Sequence, residues 1–400
     1  MNGHIERNTM SLKSFQFALL TGLSIATLLA TSGTALANDA VFGGSGASIS
    51  PIKEKRLRMA SESIVIREKP GSKAWGGARH WDIEATYRFE NPTKESITTQ
   101  FGFPESTCDE DSDCNSMDDS KYTFHNMKTT VEGKKVKVTQ GTVDQDNPWG
   151  RELGRVHLFD VTIPAQKTVE VVHHYQMGKS GSVMADDWVM YITRTGALWN
   201  GPIGSAKFTI AVLERPWGFS YPADYNLTTF ETSKDGKLTT IAFEMKDWTP
   251  KQDLNVVLGS TLAETASCPS VEMASWKFYD EGSSEPKVDA VEAAFSGKRT
   301  DDVRRCRNMV YAAHGYSFKD KKLQDFFYKY STPVAVEKTE GFWGYYDSHN
   351  GSGPFKAVVF ATDANYSPSH LSELETKWVK ALKALEKKRK SEEKGQKKKK

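Results

Sequence analysis

Three side chains near the C-terminal end of this 400-residue sequence have the types and spacing of a small recognition site. Arg307, Tyr311 and His314 stand at i, i+4 and i+7 within 306–318, a stretch that reads as a short helix. That spacing puts them on one helix face, displaced from the apolar stripe of Val303, Cys306, Val310 and Ala313. Arginine can stack on tyrosine, and the dipole at a helix C-terminus favours the charged form of a histidine. The chemistry open to such a face is capture of an anionic or aromatic ligand. The same residues could instead fix a helical hairpin. Tyr311 and Tyr316 would then pack inside it, while Arg307, Asn308 and His314 satisfy backbone or cap groups.

Other constellations are weaker. Asp109, Asp111 and Asp113 alternate as a hard cation requires, but Cys114 takes the glycine place of a calcium loop and Ser120 its final glutamate place. A solvated loop is the better reading. His173 and His174 are neighbours on a strand, so their imidazoles point to opposite faces. The run Gly178-Lys-Ser-Gly-Ser182 lacks the second glycine of a nucleophile elbow and its strand-turn-helix setting. There is no His-Glu-x-x-His, no Cys-x-x-Cys and no glycine-rich phosphate loop. Neither a catalytic residue nor a metal or cofactor is expected.

The four cysteines are Cys108, Cys114, Cys268 and Cys306. In an exported chain an even number favours disulfides. Cys108 and Cys114 bracket the acidic loop and are expected to pair, leaving Cys268 for Cys306. Buried free thiols are the alternative.

The elements that must position these residues follow two periods. From about Ser61 to Leu258 apolar residues recur every second position, as in 62–67, 80–89, 155–163, 167–175, 188–193 and 205–212. Turn signals separate the runs at Asn91-Pro92, Glu132-Gly133, Pro164-Ala165 and Asp235-Gly236. The spacing predicts a mainly β fold: a β-sandwich region of one or two lobes, divided near 178–187, then an αα-hairpin and a C-terminal helix. The hairpin reads as two helices separated by a stop at Gly315. Thr300-Asp301 caps the first and Asp320 the second, whose stripe is Leu323, Phe326, Phe327 and Tyr330. A last helix is predicted from Ser367-Pro368, with Leu371, Leu374, Trp378, Leu382 and Leu385 as its seam.

Residues 306–318, followed by 319–327, resemble the YARHG module of exported bacterial proteins, named for Tyr-Ala-Arg-His-Gly. Tyr311, Ala312, His314 and Gly315 match, whereas Ala313 stands where the motif has arginine. The resemblance spans about 300–350 and implies an extracellular module with no particular reaction. No role of that arginine carries over. Residues 81–92 with 97–104 are similar to the uncharacterised β-rich domain that often precedes such modules. That likeness extends loosely over 38–262 and reads as a long hairpin turning at Asn91-Pro92.

The N-terminus resembles a secretory leader. Arg7 and Lys13 precede an apolar run at 15–30, and Ala35-Leu36-Ala37 predicts cleavage after Ala37, with Asn38 as the new N-terminus. The organisation expected is a leader at 1–37, the β-region at 38–262, a linker at 263–299 and the helical module at 300–350. A strand and amphipathic helix at 351–390 and a disordered lysine-rich tail at 391–400 would follow. Residues 377–400 carry 12 Lys/Arg against 3 Asp/Glu, a net +9, whereas the whole chain is +2, leaving −7 elsewhere. Export removes most nucleic-acid roles, and no later stretch is apolar enough to span a bilayer. The sequence is read as an exported periplasmic or secreted protein, a non-enzymatic binding or scaffolding module. Its partner would be a cell-envelope polymer or another envelope protein. A cell-wall hydrolase with its site on β-region loops is the alternative.

Overall fold

The computed structural model describes residues 38–45, 48–105, 124–143, 155–181, 187–259, 291–292, 295–297, 299–328, 331, 334–336 and 354–397. The leader, the acidic loop with Cys108 and Cys114, Tyr330, most of the linker with Cys268, and residues 398–400 lie outside them.

The described residues form nineteen strands in three sheets. The largest has the order β15-β16-β13-β3-β4-β10-β6-β7. Its members are β3 (Arg58–Lys69), β4 (His80–Glu90), β6 (His125–Val131), β7 (Lys134–Lys135), β10 (Thr168–Gly178), β13 (Ile203–Val212), β15 (Leu227–Thr232) and β16 (Thr239–Trp248). A five-stranded sheet, β2-β1-β5-β9-β8, contains β1 (Ala40–Ser45), β2 (Ser48–Ile52), β5 (Ile97–Glu105), β8 (Thr139–Thr142) and β9 (Arg155–Ile163). A six-stranded sheet, β11-β12-β17-β14-β19-β18, contains β11 (Ser180–Gly181), β12 (Asp187–Tyr191), β14 (Gly218–Pro222), β17 (Leu254–Gly259), β18 (Val334–Val336) and β19 (Phe355–Val359).

Alternation explains how the sheets stack. On β4, Ile83, Ala85, Tyr87 and Phe89 are fully buried, while Glu84, Thr86 and Arg88 between them are half-buried or exposed. The buried face meets both smaller sheets. Phe89 packs on Phe101 of β5 with ring centres 4.7 Å apart, and His173 of β10 stacks on Phe103 at 4.2 Å. Toward the six-stranded sheet, the Tyr87 and Tyr191 hydroxyls meet, Phe230 packs on Phe219 at 4.9 Å, and Phe243 on Tyr221 at 5.0 Å. Each such ring contributes about 2–3 kcal/mol by leaving water.

The large sheet takes β3, β4 and β10 from before 178–187 and β13, β15 and β16 from after it. Parallel pairing of β13 with β3 closes the two halves into one sheet. The reading of 81–104 as a hairpin is corrected. β4 and β5 lie in different sheets, and the Asn91 side chain makes the crossover. Its amide donates to the carbonyls of Glu95 (2.8 Å) and Ile163 (2.9 Å), and its oxygen accepts from the Thr93 N–H (3.0 Å). A buried asparagine anchored to β9 turns the chain between layers.

The C-terminal part adds α1 (Thr300–Ala313), α2 (Lys321–Phe327) and α3 (Glu373–Lys397). These share a second core in which Val291, Phe295, Met309, Val310, Phe327, Trp378 and Leu382 are buried. Asp320 caps α2 as expected, accepting from the Lys322 N–H at 2.9 Å. Three local expectations are corrected. Arg299, not Thr300, caps α1, because Asp302 reaches back to the Arg299 N–H at 3.0 Å. Phe326 is exposed beneath Arg305, since Phe327 takes the inward position. Ser367 caps only a short 3-10 turn, Pro368–His370; extended Leu371 ends it, and α3 starts at Glu373. The helix then runs through 391–397, expected to be disordered; Glu392, Glu393 and Lys394 are good helix formers, and Thr300 Oγ1 at the start of α1 donates to Glu393.

β19 wires this part into the β-region, pairing with β14 from Gly218↔Val359 to Pro222↔Phe355. Arg215 and Asp363 seal the junction with a buried ion pair at 2.7 Å, and Asp363 also accepts the Thr232 N–H at 2.7 Å. Burial pushes the Arg215 guanidinium down to about 10.

Candidate functional site

The Tyr311–Gly315 stretch is first a helix stop. Gly315 has φ +83, its N–H donates to Ala312 (2.9 Å), and the Tyr316 N–H donates to Tyr311 (3.0 Å). These two bonds define a Schellman motif, in which the residues flanking the stop commonly touch. Here the Tyr311 and Tyr316 rings lie 6.0 Å apart. Ala313, at the place of the motif's arginine, is buried in the helical core.

Arg307 and His314 face α3. Arg307 Nε donates to Glu386 at 3.0 Å, and His314 Nε2 meets Glu375 at 2.8 Å. Burial tends to raise the Glu375 carboxyl, but hydrogen bonds from His314 and Ser372 outweigh it and hold Glu375 below its ordinary value. Glu386 is likewise held low by Lys390 and Arg307 against its burial. Of the three residues read from the sequence, Arg307 and His314 dock α3, whereas Tyr311 packs on Tyr316 across the helix stop. The partners lie 61 and 79 residues further along, a pairing no local spacing reveals.

Beside the Arg307–Glu386 bond runs a groove of about 530 Å³, lined by Arg307, Lys383, Glu386, Lys387, Lys390, Ser391 and Lys394. On α3, Lys383, Lys387, Lys390 and Lys394 recur at steps of four, three and four, so they form one stripe. Five cations thus meet one carboxylate. Two ion pairs to α1 and a buried seam of Trp378, Leu382 and Leu385 hold the stripe in place. Such an array can satisfy several anionic oxygens at once. The lysine excess was visible in the sequence, but its convergence with Arg307 depends on how α3 packs.

A second constellation lies in the β-core. His173 is bracketed by Thr129 Oγ1 at Nδ1 (2.9 Å) and both Asp39 oxygens at Nε2 (3.1 Å). Hydroxyl, imidazole and carboxylate in that order is the arrangement of an activated nucleophile. All three are buried, with His173 and Asp39 at 0 % exposure, so a substrate has no approach. Burial raises the Asp39 carboxyl, partly offset by His173. His174 points outward to Asp82 at 3.3 Å, as strand geometry requires. Glu105, also buried, holds Arg155 (2.8 Å), His157 (2.8 Å) and the Phe124 N–H (2.6 Å). Neither cluster was legible in the sequence, because its members come from distant parts of the chain.

Cys306 is buried, and the other three cysteines, with the expected pairings, lie outside the described residues. Among the described residues no helix is long and apolar enough to cross a membrane.

With this geometry in view, two family matches fall into place. Residues 287–341 match the YARHG domain, and residues 37–147 match a domain of unknown function, DUF4424. The first takes in α1, α2 and the helix stop. The second covers β1 to β8 and ends well short of 262. No curated protein matches the sequence. Among solved structures, a candidate nutrient binding protein from Legionella pneumophila is similar over 88% of this chain and 99% of its own, at 19% identity and a TM-score of 0.48. An M1 zinc metallopeptidase from Deinococcus radiodurans is similar at 10% identity and a TM-score of 0.29. That likeness covers 53% of this chain and 44% of the peptidase, so this chain spans less than half of that protein.

Proposed function

We propose that this is an exported bacterial envelope protein that works by binding: the groove between α1 and α3 takes a ligand surface bearing closely spaced phosphates. The leader at 1–37, cut after Ala37, delivers it to the periplasm or beyond, and a Cys268–Cys306 disulfide tethers the module there. The observation that carries this reading is the stripe of Lys383, Lys387, Lys390 and Lys394 beside Arg307. A lysine row on a free helix is a solvated face; here the row is held rigid, which lowers the entropy cost of binding. Arg307 contributes a forked donor suited to phosphate oxygens. Tyr311 and His314 act through the fold, by shaping the helix stop and holding α3.

Two sources supply such phosphates in an envelope: anionic lipid headgroups and soluble phosphorylated polysaccharide. Purified mature protein is mixed with phosphatidylglycerol vesicles and, separately, with delipidated lipopolysaccharide core. Binding to either that weakens as salt rises supports the reading, and the arm that binds identifies the source. Binding to neither contradicts it.

A further inference from the structure

Asn38 and Asp39 are fully buried where the first strand enters the sandwich. Thr195 Oγ1 donates to the Asn38 carbonyl (3.1 Å), and Trp199 Nε1 to the Asp39 carbonyl (3.2 Å). The Asp39 carboxylate is engaged by His173. Glu62, on β3, points inward with Ile64 and Ile66 and has no such partner. Among the described residues, its Oε2 accepts one bond, from Asn38 Nδ2 at 3.2 Å, its Oε1 accepts none, and Asn38 Oδ1 is also unsatisfied. Among the described residues, the groups that sense the Glu62 charge include the phenols of Tyr87, Tyr191 and Tyr225, which supply no positive charge. Burial pushes its carboxyl up to about 8. A buried carboxyl with an idle oxygen and no cation is costly, and such groups are normally paired.

Cleavage after Ala37 changes the charge at this spot. Water adds across the Ala37–Asn38 peptide bond, the carboxylate leaves on Ala37, and the Asn38 nitrogen becomes an amine that takes up a proton at neutral pH. We propose that this new α-ammonium is the cation Glu62 lacks, and that the buried Asn38–Glu62 ion pair locks the mature fold. The proposal rests on the leader cut after Ala37. Asn38 already touches Glu62 through its own side chain, so its backbone nitrogen is within a residue's reach of that carboxyl. Asp39, one residue on, is spoken for by His173. The fold would therefore reach full stability only once the leader is gone.

The test compares two full mature chains released from a removable tag in an oxidising host. One starts at Asn38; the other carries a single extra glycine, which moves the ammonium by about 3.8 Å. The Asn38 chain is expected to melt several degrees higher, and Glu62→Gln is expected to erase that gap. A second readout is acylation of the terminal amine at neutral pH, followed by mass spectrometry. It should be slow in the folded Asn38 chain against its exposed lysines, even if Glu62→Gln fails to fold. Equal melting with rapid acylation overturns the ion pair. The N-terminus of protein recovered from the periplasm separates the two layers of the argument: any start other than Asn38 overturns the cleavage reading and the lock with it. Asn38 with no stability gap overturns the lock alone.

Discussion

The backbone N–H of Asp363 donates to the carbonyl of Gly315 at 2.9 Å, so the glycine that stops α1 is also where the returning chain leans on it. A Cβ at Gly315 would lie 2.4 Å from the Asp363 Cβ and 2.7 Å from its nitrogen. Two independent constraints therefore meet there, a left-handed backbone and a backbone in contact. Gly315→Ala is expected to cost about 2 kcal/mol or more in denaturant unfolding. Gly315→Asn separates the causes, because asparagine tolerates positive φ. Asparagine should lose nearly as much as alanine; full tolerance would mean that the Asp363 contact carries little.

The contact between α1 and α3 should be sensitive to acid. Glu375 is held below its ordinary value of 4.5 in the folded state, so the unfolded chain binds its proton first as pH falls. The stability it contributes is fully present above about pH 4.5 and is lost as pH drops through the lower folded value. Trp378, buried on α3, reports the event by fluorescence. A weaker acid transition in Glu375→Gln is the expected result, the remainder being carried by Glu386, and an unchanged transition in that variant counts against the pairing.

Cys306 is buried in the helical core, and Cys268 is its expected disulfide partner. Non-reducing digestion and mass spectrometry should recover a peptide joining 268 to 306. Replacing both by serine should lower stability by about 3–4 kcal/mol through the freed loop. A 306 peptide joined to Cys108 or Cys114 would refute the pairing.

Much of this architecture was legible because local patterns dictate it. Period two located β3, β4, β9, β10, β12 and β13, since one face of each strand is dry. The stop at Gly315 and the cap at Asp320 could be read because each depends only on neighbours in sequence. Sheet membership was not legible. Asn91-Pro92 gives the same turn signal whether the next strand returns to its partner or crosses to the other layer, and here it crosses. Inward carboxyls such as Glu62, Asp39 and Glu105 were missed because alternation treats polar residues as outward. Arg307 and His314 showed their common face but not their occupants, Glu375 and Glu386, which arrive from the end of the chain.

If the α1–α3 groove binds closely spaced phosphates, removing its lysines must weaken that binding. The direct measurement is the affinity of the mature protein and of Lys387→Gln/Lys390→Gln/Lys394→Gln for phosphatidylglycerol vesicles and lipopolysaccharide core, across a salt series. These lysines are exposed along the groove, and the one ion pair the variant removes, Lys390 to Glu386, is a surface i, i+4 pair, so the loss of stability should stay within about 1 kcal/mol. A loss of at least tenfold in affinity, with a shallower salt dependence, is the predicted result. Undiminished binding by the triple variant, or release of soluble fragments from peptidoglycan by the wild type, would contradict it.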